Sequence, residues 1–196
     1  YGNHMELIII LMILSAYLIG SCASAIIVAR LFGLPDPRSS GSNNPGATNM
    51  FRLGGRIPAI IVFMFDLLKG TVMVYGAYRL GIEPFWLGVI GIAVCLGHMY
   101  PIFYGFSGGK GVATAFGCLF PLGLPVSLSL LAVWLITYRL FRFSSLAALV
   151  TVCFAPITCY WFKPEYTLAV SMLAALIVWR HHANIARLLQ GSEPKV

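Results

Sequence analysis

Long apolar runs recur along this chain, and they constrain its fold more tightly than any other feature. Residues 7–29 carry no charge. As a helix rising about 1.5 Å per residue, that run exceeds a hydrocarbon core roughly 30 Å thick. Residues 57–78, 85–103, 112–138, 146–162 and 166–179 form five more runs. In lipid no water is available to the backbone, so each segment must pair its own N–H and C=O groups, which means helices. The chain is 59% hydrophobic and only 10% charged, whereas soluble domains carry about 25% charged residues. Lipid must therefore solvate most of its surface, and the predicted class is an all-α integral membrane protein. We expect one domain over residues 1–196, with Tyr1-Gly2-Asn3-His4 ahead of Met5 set aside as an expression remnant.

The first run could instead be a cleaved leader, since Ile19-Gly20-Ser21-Cys22 resembles a lipoprotein cleavage box. However, Glu6 precedes it without Lys or Arg, and the basic residues follow it, which reverses the order of a signal peptide. Gly20 and Ser24, four apart, are a small-residue pair that would let another helix approach closely.

Residues 112–138 contain Pro121-Leu122-Gly123-Leu124-Pro125, and two prolines around a glycine favour a break. Charge placement discriminates between one kinked helix and two. With two short helices there are seven spans, and Arg30, Arg38, Arg52, Arg56, Lys110, Arg139, Arg142, Arg180, Arg187 and Lys195 share one face. Arg79 and Lys163 then lie opposite, and Lys69 lies within a span. With one helix that asymmetry collapses. The expectation is seven transmembrane helices, Pro-broken in the middle, with the N-terminus outside and the C-terminus cytoplasmic. The net charge of +7 is thus topological, not a basic stripe for nucleic acid. Cys22, Cys95, Cys118, Cys153 and Cys159 all lie in apolar segments without a Cys-x-x-Cys pair, which favours packing over disulfides or zinc.

This topology gathers three polar segments on one membrane face. The first runs Ser39-Ser40-Gly41-Ser42-Asn43-Asn44-Pro45-Gly46-Ala47-Thr48-Asn49, with Arg52 just beyond. Its glycines permit conformations in which successive amides point at one anion, its short side chains add hydrogen bonds, and Arg52 could neutralise the charge. It reads as a phosphate cradle. The second contains Gly108-Gly109-Lys110-Gly111 before an apolar helix. A nucleotide-hydrolysing P-loop is excluded, because Tyr104 stands where that motif's first glycine belongs and Gly111 where Ser or Thr belongs. The loop can still bind an anion through amides, a helix N-terminus and an ammonium, or it can be a turn with a topogenic lysine. The third holds His181, Asn184 and Arg187, which share one face if the last helix continues past Arg180. Ser145, in Arg142-Phe143-Ser144-Ser145, can cap its helix or touch a ligand. Asp66 and Lys69, three apart within a span, are expected to pair and support the site, and His98 to be hydrogen-bonded within the bundle. Of the six acids only Asp36 and Glu193 fall in loops on this face, too few carboxylates for a Mg²⁺-dependent lipid-head transferase. No metal or cofactor is expected.

These segments resemble the three signatures of the acyl-phosphate-dependent glycerol-3-phosphate acyltransferases, the PlsY family. Ser40 to Asn49 with Arg52 is similar to the first, Gly97-His98-Met99-Tyr100-Pro101 leading into Gly108 to Thr114 to the second, and His181, Asn184, Ile185, Arg187, Leu188 and Gly191 to the third. Asn43 stands where the family more often has glycine, a change that costs little if Asn43 adopts a left-handed conformation. The resemblance implies transfer of an acyl group from acyl phosphate to the 1-hydroxyl of sn-glycerol 3-phosphate, giving lysophosphatidate and phosphate. It implies a multi-pass protein of the bacterial inner membrane, working as a monomer with its site toward the cytoplasm. The expected catalytic residues are Lys110, Arg52, His181 and Asn184, with the proton acceptor either His181 or a substrate phosphate. The first loop, Gly108, Gly109, Gly111, Ser145 and Arg187 are expected to bind substrate. The rival readings are a transporter of a phosphorylated metabolite and a membrane phosphatase. The first lacks an internal repeat and the second lacks a nucleophile set.

Overall fold

The computed structural model describes residues 2–195, and the described chain is helical throughout, without a strand. Tyr1, the first residue of the presumed remnant, lies outside the described residues. α1 (Asn3–Gly20) runs through a short hitch at residues 21–23 into α2 (Ser24–Leu31). After the first polar loop come α3 (Ala47–Gly54), α4 (Arg56–Arg79) and α5 (Pro84–Met99), the last followed by a 3-10 turn, Ile102–Tyr104. α6 (Val112–Leu119) ends in a second 3-10 turn, Phe120–Leu122, before α7 (Leu124–Phe141) and α8 (Ser144–Phe162). A third turn, Pro164–Tyr166, leads to α9 (Thr167–Arg180) and α10 (His182–Leu189).

Among the described residues five segments are long and apolar enough to cross a membrane: His4–Leu31, Arg56–Arg79, Pro84–Tyr104, Leu124–Phe141 and Ser144–Phe162. The segment Pro164–Arg180 with His182–Leu189 is a sixth candidate, bent by 60° at the break between them. The break expected between Pro121 and Pro125 is present, with Gly123 at φ 109 and Pro125 in the first turn of α7. The two halves are unequal, however. α6 has 8 residues and α7 has 18, or about 12 and 27 Å. Leu7, Leu11 and Leu14 of α1, Phe65 of α4 and Leu128 and Leu135 of α7 are all exposed, an apolar outer surface suited to lipid.

α5 lies at the centre, packed on α1, α4 and α9, while α7 and α8 form a hairpin and α8 also meets α9. The expected close approach at Gly20 is made by α5, since a Cβ there would collide with the Val94 carbonyl oxygen. Ser24 does something different and donates to Asp66 Oδ1 at 2.8 Å. α4 and α6 also touch backbone to backbone, because a Cβ at Gly117 would collide with the Leu67 carbonyl oxygen. Thr71 Oγ1 donates to the Gly117 carbonyl there at 2.9 Å. Nearer the start of α6, a Cβ at Gly70 would collide with the Thr114 carbonyl oxygen, and this second close approach holds the helix and the loop before it against α4.

The first polar segment ends in a helix, α3. Met50, fully buried, docks it on Ala25, Val28 and Ala29 of α2 and Val62 of α4. A helix of two turns with one strong apolar anchor is too short to display a 3.6-residue period.

Candidate active site

Asn49 organises the first loop from beneath. Fully buried, it accepts the Ser42 N–H through Oδ1 at 2.9 Å and donates through Nδ2 to the carbonyls of Pro37 (3.0 Å) and Ser40 (2.9 Å). Gly41, at φ 64, passes so close that a Cβ would collide with Asn49 Oδ1. Asn43 is left-handed at φ 55, as its departure from glycine required. Asp36 holds Arg38 by an ion pair at 2.7 Å, and Arg38 Nη1 donates to the Tyr104 carbonyl at 3.1 Å, tying this loop to the turn after α5. The cradle is therefore partly self-satisfied. The Ser42 N–H goes to Asn49 and the Asn43 N–H to the Ser40 carbonyl, which leaves fewer amides for an anion than a full nest.

The second loop is pinned to the end of α5, with the Gly108 N–H on the Met99 carbonyl and the Gly109 N–H on the His98 carbonyl, both at 3.1 Å. Those amides are spent on structure. Lys110 and Gly111, the latter at φ 79 before the first turn of α6, face the cavity instead. Burial of the Lys110 ammonium lowers its pKa to about 8, Arg187, Arg180 and Arg52 act in the same direction, and Glu193 opposes them.

The third segment does not continue straight. Beyond Arg180 the axis turns by 60°, and His181 caps α10 instead of lying within one long helix. His181, 1% exposed, stands with Nδ1 2.8 Å from the Ile177 carbonyl oxygen. Nδ1–H therefore donates and Nε2 is the ring's acceptor. Burial of the ring lowers its pKa to about 4, so it is neutral at neutral pH.

Glu193 is the residue that sequence reasoning missed. The tail folds back so that its carboxylate accepts from Ser145 Oγ at 2.5 Å, Asn184 Nδ2 at 2.6 Å and Arg187 Nε at 2.7 Å. Although burial opposes ionisation, these bonds hold its pKa below the ordinary glutamate value. A carboxylate in an anion site has the wrong sign for a ligand contact, so the residues alone offered no reason to place it there. It gathers three donors from α8 and α10.

All these groups meet at one cavity of about 670 Å³. Its polar end is lined by Gly41, Ser42, Asn43, Asn44, Gly46, Ala47, Thr48 and Arg52, by Lys110 and Gly111, and by Ser145, His181, Asn184 and Arg187. Ser39, Ser40, Asn49, Gly108 and Gly109 do not line it, because they are the frame on which the lining residues stand. Thr48 and Arg52, four apart, share the cavity face of α3, and Thr48 Oγ1 lies 3.2 Å from Ser144 Oγ of α8. The other end is apolar, with Phe63 of α4, Phe116 and Leu119 of α6, Leu130 and Trp134 of α7 and Ala155 of α8. Asp66 and His98 also reach its wall. Among the described residues no three His, Cys, Asp or Glu side chains are grouped to hold a metal ion. The arrangement suits a ligand with an anionic head and a long apolar tail.

Comparison with known proteins agrees with this geometry. A family model described as glycerol-3-phosphate acyltransferase matches residues 10–191. A glycerol-3-phosphate acyltransferase of Idiomarina loihiensis is 58% identical over 189 residues, 96% of each chain. One of Escherichia coli O1:K1 / APEC is 56% identical over 185 residues, covering 94% of this chain and 90% of the other. Among solved structures, the glycerol 3-phosphate form of PlsY, an integral membrane glycerol 3-phosphate acyltransferase, superposes with a TM-score of 0.89 at 37% identity, covering 96% of this chain and 95% of that one. Its lysophosphatidic acid form gives 0.87 at 36% identity, covering 95% and 94%. The chain belongs to the glycerol-3-phosphate acyltransferase family.

Proposed function

We propose that the chain moves a fatty acyl group from acyl phosphate to the 1-hydroxyl of sn-glycerol 3-phosphate. The observation that carries this reading is the single cavity with a cationic, hydroxyl-lined end and an apolar end. An acyl phosphate needs both at once, and the second substrate brings another phosphate to the same cations. The substrate oxygen attacks the acyl carbonyl, the bond from that carbon to the phosphate oxygen breaks, and inorganic phosphate leaves with the hydroxyl proton. An acyl phosphate already has a good leaving group, so the site's contribution is positioning and charge stabilisation.

Lys110, Arg52 and Arg187 offset phosphate charge, while Ser42, Thr48 and the Gly46–Ala47 amides hold the phosphate from the other side. Among the described residues the buried Asn184 Oδ1 has no hydrogen-bond partner, and Glu193 occupies its amide nitrogen. An orphaned acceptor at this point suits a substrate hydroxyl, since a phosphate dianion has no proton to donate. His181, neutral with Nε2 as acceptor, takes a second hydroxyl contact. With a pKa of about 4 it is a weak base at neutral pH, so a substrate phosphate oxygen receives the proton.

In this reading α6 and α9 complete seven crossings, the N-terminus lies outside and the site opens to the cytoplasm from a bacterial inner membrane. One copy of the chain suffices, since all the proposed groups come from one chain. The test is phosphate release from palmitoyl phosphate by the purified protein in detergent. Release should depend on added glycerol 3-phosphate and be accompanied by lysophosphatidate. Release without glycerol 3-phosphate would indicate a phosphatase. Uptake of glycerol 3-phosphate into proteoliposomes without any release would indicate a carrier.

A further inference from the structure

Beneath the cavity lies a buried polar cluster that the acyl-transfer scheme does not use. Asp66 and Lys69 of α4 pair at 2.8 Å, and Ser24 of α2 donates to the same carboxylate oxygen at 2.8 Å. Lys69 Nζ also donates to the Gly20 carbonyl at 3.3 Å and stands 2.8 Å from His98 Nδ1 on α5. Asp66, Lys69 and His98 are each more than nine-tenths buried. Four elements thus converge on three ionisable side chains within the apolar bundle, an arrangement expensive enough to need a use.

The hydrogen-bond inventory assigns the protons. An ammonium has three donors and no acceptor. Here the three are directed at Asp66 Oδ1, the Gly20 carbonyl and His98 Nδ1. A nitrogen 2.8 Å from an ammonium must itself accept, so Nδ1 carries no proton and the ring's own proton sits on Nε2. Asp66 Oδ1, 3.3 Å from Nδ1, is met by the ammonium and the Ser24 hydroxyl instead.

The Nε2 edge of the ring faces the seam between the two glycine-rich loops. A Cβ at Gly109 would collide with His98 Nε2 and would also overlap the Pro45 carbonyl oxygen of the first loop. The carbonyl of His98 receives the Gly109 N–H, the residue before Lys110. His98 therefore touches the second loop with both its backbone and its ring at Gly109, where the Pro45 carbonyl of the first loop also lies close.

We propose that His98 is a positioning residue for acyl transfer. Locked by Lys69 as the Nε2–H tautomer, it braces Gly109 against the Pro45 turn and thereby sets where Lys110 stands relative to the first loop. This inference rests on the acyl-transfer reading for its kinetic consequences, but the tautomer does not depend on it.

Two measurements test it. With ¹⁵N-histidine in the full chain in detergent, the His98 ring, assigned by its loss in His98→Gln, should show Nε2 protonated and Nδ1 bare at neutral pH. The Asp66→Asn/Lys69→Met double variant, which removes both charges together, should release the ring to a mixture of tautomers. In turnover, His98→Gln keeps a side-chain amide that can still accept from Lys69 and should stay within about threefold of wild type in kcat/KM, whereas His98→Leu leaves the buried ammonium one acceptor short and should lose about tenfold, the scale of one buried hydrogen bond. The loss should appear chiefly as a raised KM for glycerol 3-phosphate. A ring protonated on Nδ1, or on both nitrogens, in the wild type would overturn the assignment. So would equal kcat/KM for the Gln and Leu variants, or a double variant whose ring stays purely Nε2–H. A wild-type protein that releases no phosphate would instead overturn the acyl-transfer reading and leave the tautomer result standing.

Discussion

Glu193 Oε1 accepts a hydrogen bond from Asn184 Nδ2 at 2.6 Å, and that contact decides which way the Asn184 amide faces. Because the carboxylate can only accept, the NH₂ group must turn toward it and Oδ1 must turn away, buried and without a hydrogen-bond partner among the described residues. Glu193→Ala frees the amide and also strips Arg187 and Ser145 of their acceptor. We expect it to lower kcat/KM more than about a thousandfold, consistent with three charge-assisted hydrogen bonds at roughly 1.5 kcal/mol each. Glu193→Gln, which keeps an acceptor, should lose less. Turnover of the purified variants measures both, and wild-type rates in Glu193→Ala would refute the orienting role.

The same carboxylate predicts an acid sensitivity. The folded-state pKa of Glu193 lies below its ordinary value of 4.5. The stabilisation is therefore complete above the unfolded-state value and is lost as pH falls through the depressed folded-state one. The tail strap should hold at neutral pH and loosen only below about pH 4.5. Limited proteolysis of the last residues across pH 3–6 should show this, and Glu193→Gln should abolish the pH step.

Lys110 sets a limit on the alkaline side. With its pKa lowered to about 8 by burial, the free enzyme loses the ammonium as pH rises through that value. Since kcat/KM reports groups of the free enzyme, it should fall above about pH 8 for glycerol 3-phosphate. Lys110→Arg, less active because a guanidinium is larger and planar, should show no such fall. A flat wild-type profile to pH 9.5 would remove Lys110 from phosphate binding.

Asn49 offers a test of the frame. Asn49→Ala removes three hydrogen bonds beneath the first loop and should cost about 2–4 kcal/mol of stability at roughly 1 kcal/mol per bond plus unmet partners. Asn49→Asp should be no better, because it presents a second oxygen to two carbonyls that Nδ2 now serves. Thermal unfolding in detergent and the KM for each substrate would show it.

Leu119 lines both the large cavity and a smaller pocket of about 120 Å³ beside α9. As the wall between them it should act on acyl length. Leu119→Trp should shift preference to shorter acyl phosphates by about fourfold in kcat/KM per excluded methylene, from roughly 0.8 kcal/mol per buried CH₂. An unchanged chain-length profile would mean that the acyl tail leaves the cavity before reaching α6's end.

Much of this was legible from the residues. The helical class, the break around Gly123 and the Asp66–Lys69 pair each follow from a local rule about backbone or charge. The convergence of Lys110, Arg52, His181 and Asn184 followed from the side of the membrane on which their neighbours' charges fall. The short helix α3 and the 60° turn at His181 did not, since neither alters the composition of its segment.

What the sequence determined by itself is the solvent, the helices and the inventory of anion-binding groups, because hydropathy, glycine spacing and charge act over a few residues. Only the tertiary structure decided which polar groups face a ligand and which hold the frame. Ser42 and Asn49 look alike in the chain, yet one lines the cavity while the other spends its whole amide on the backbone beneath. That division depends on which partners a fold brings within 3 Å, and for Glu193 the partners lie 48, 9 and 6 residues away.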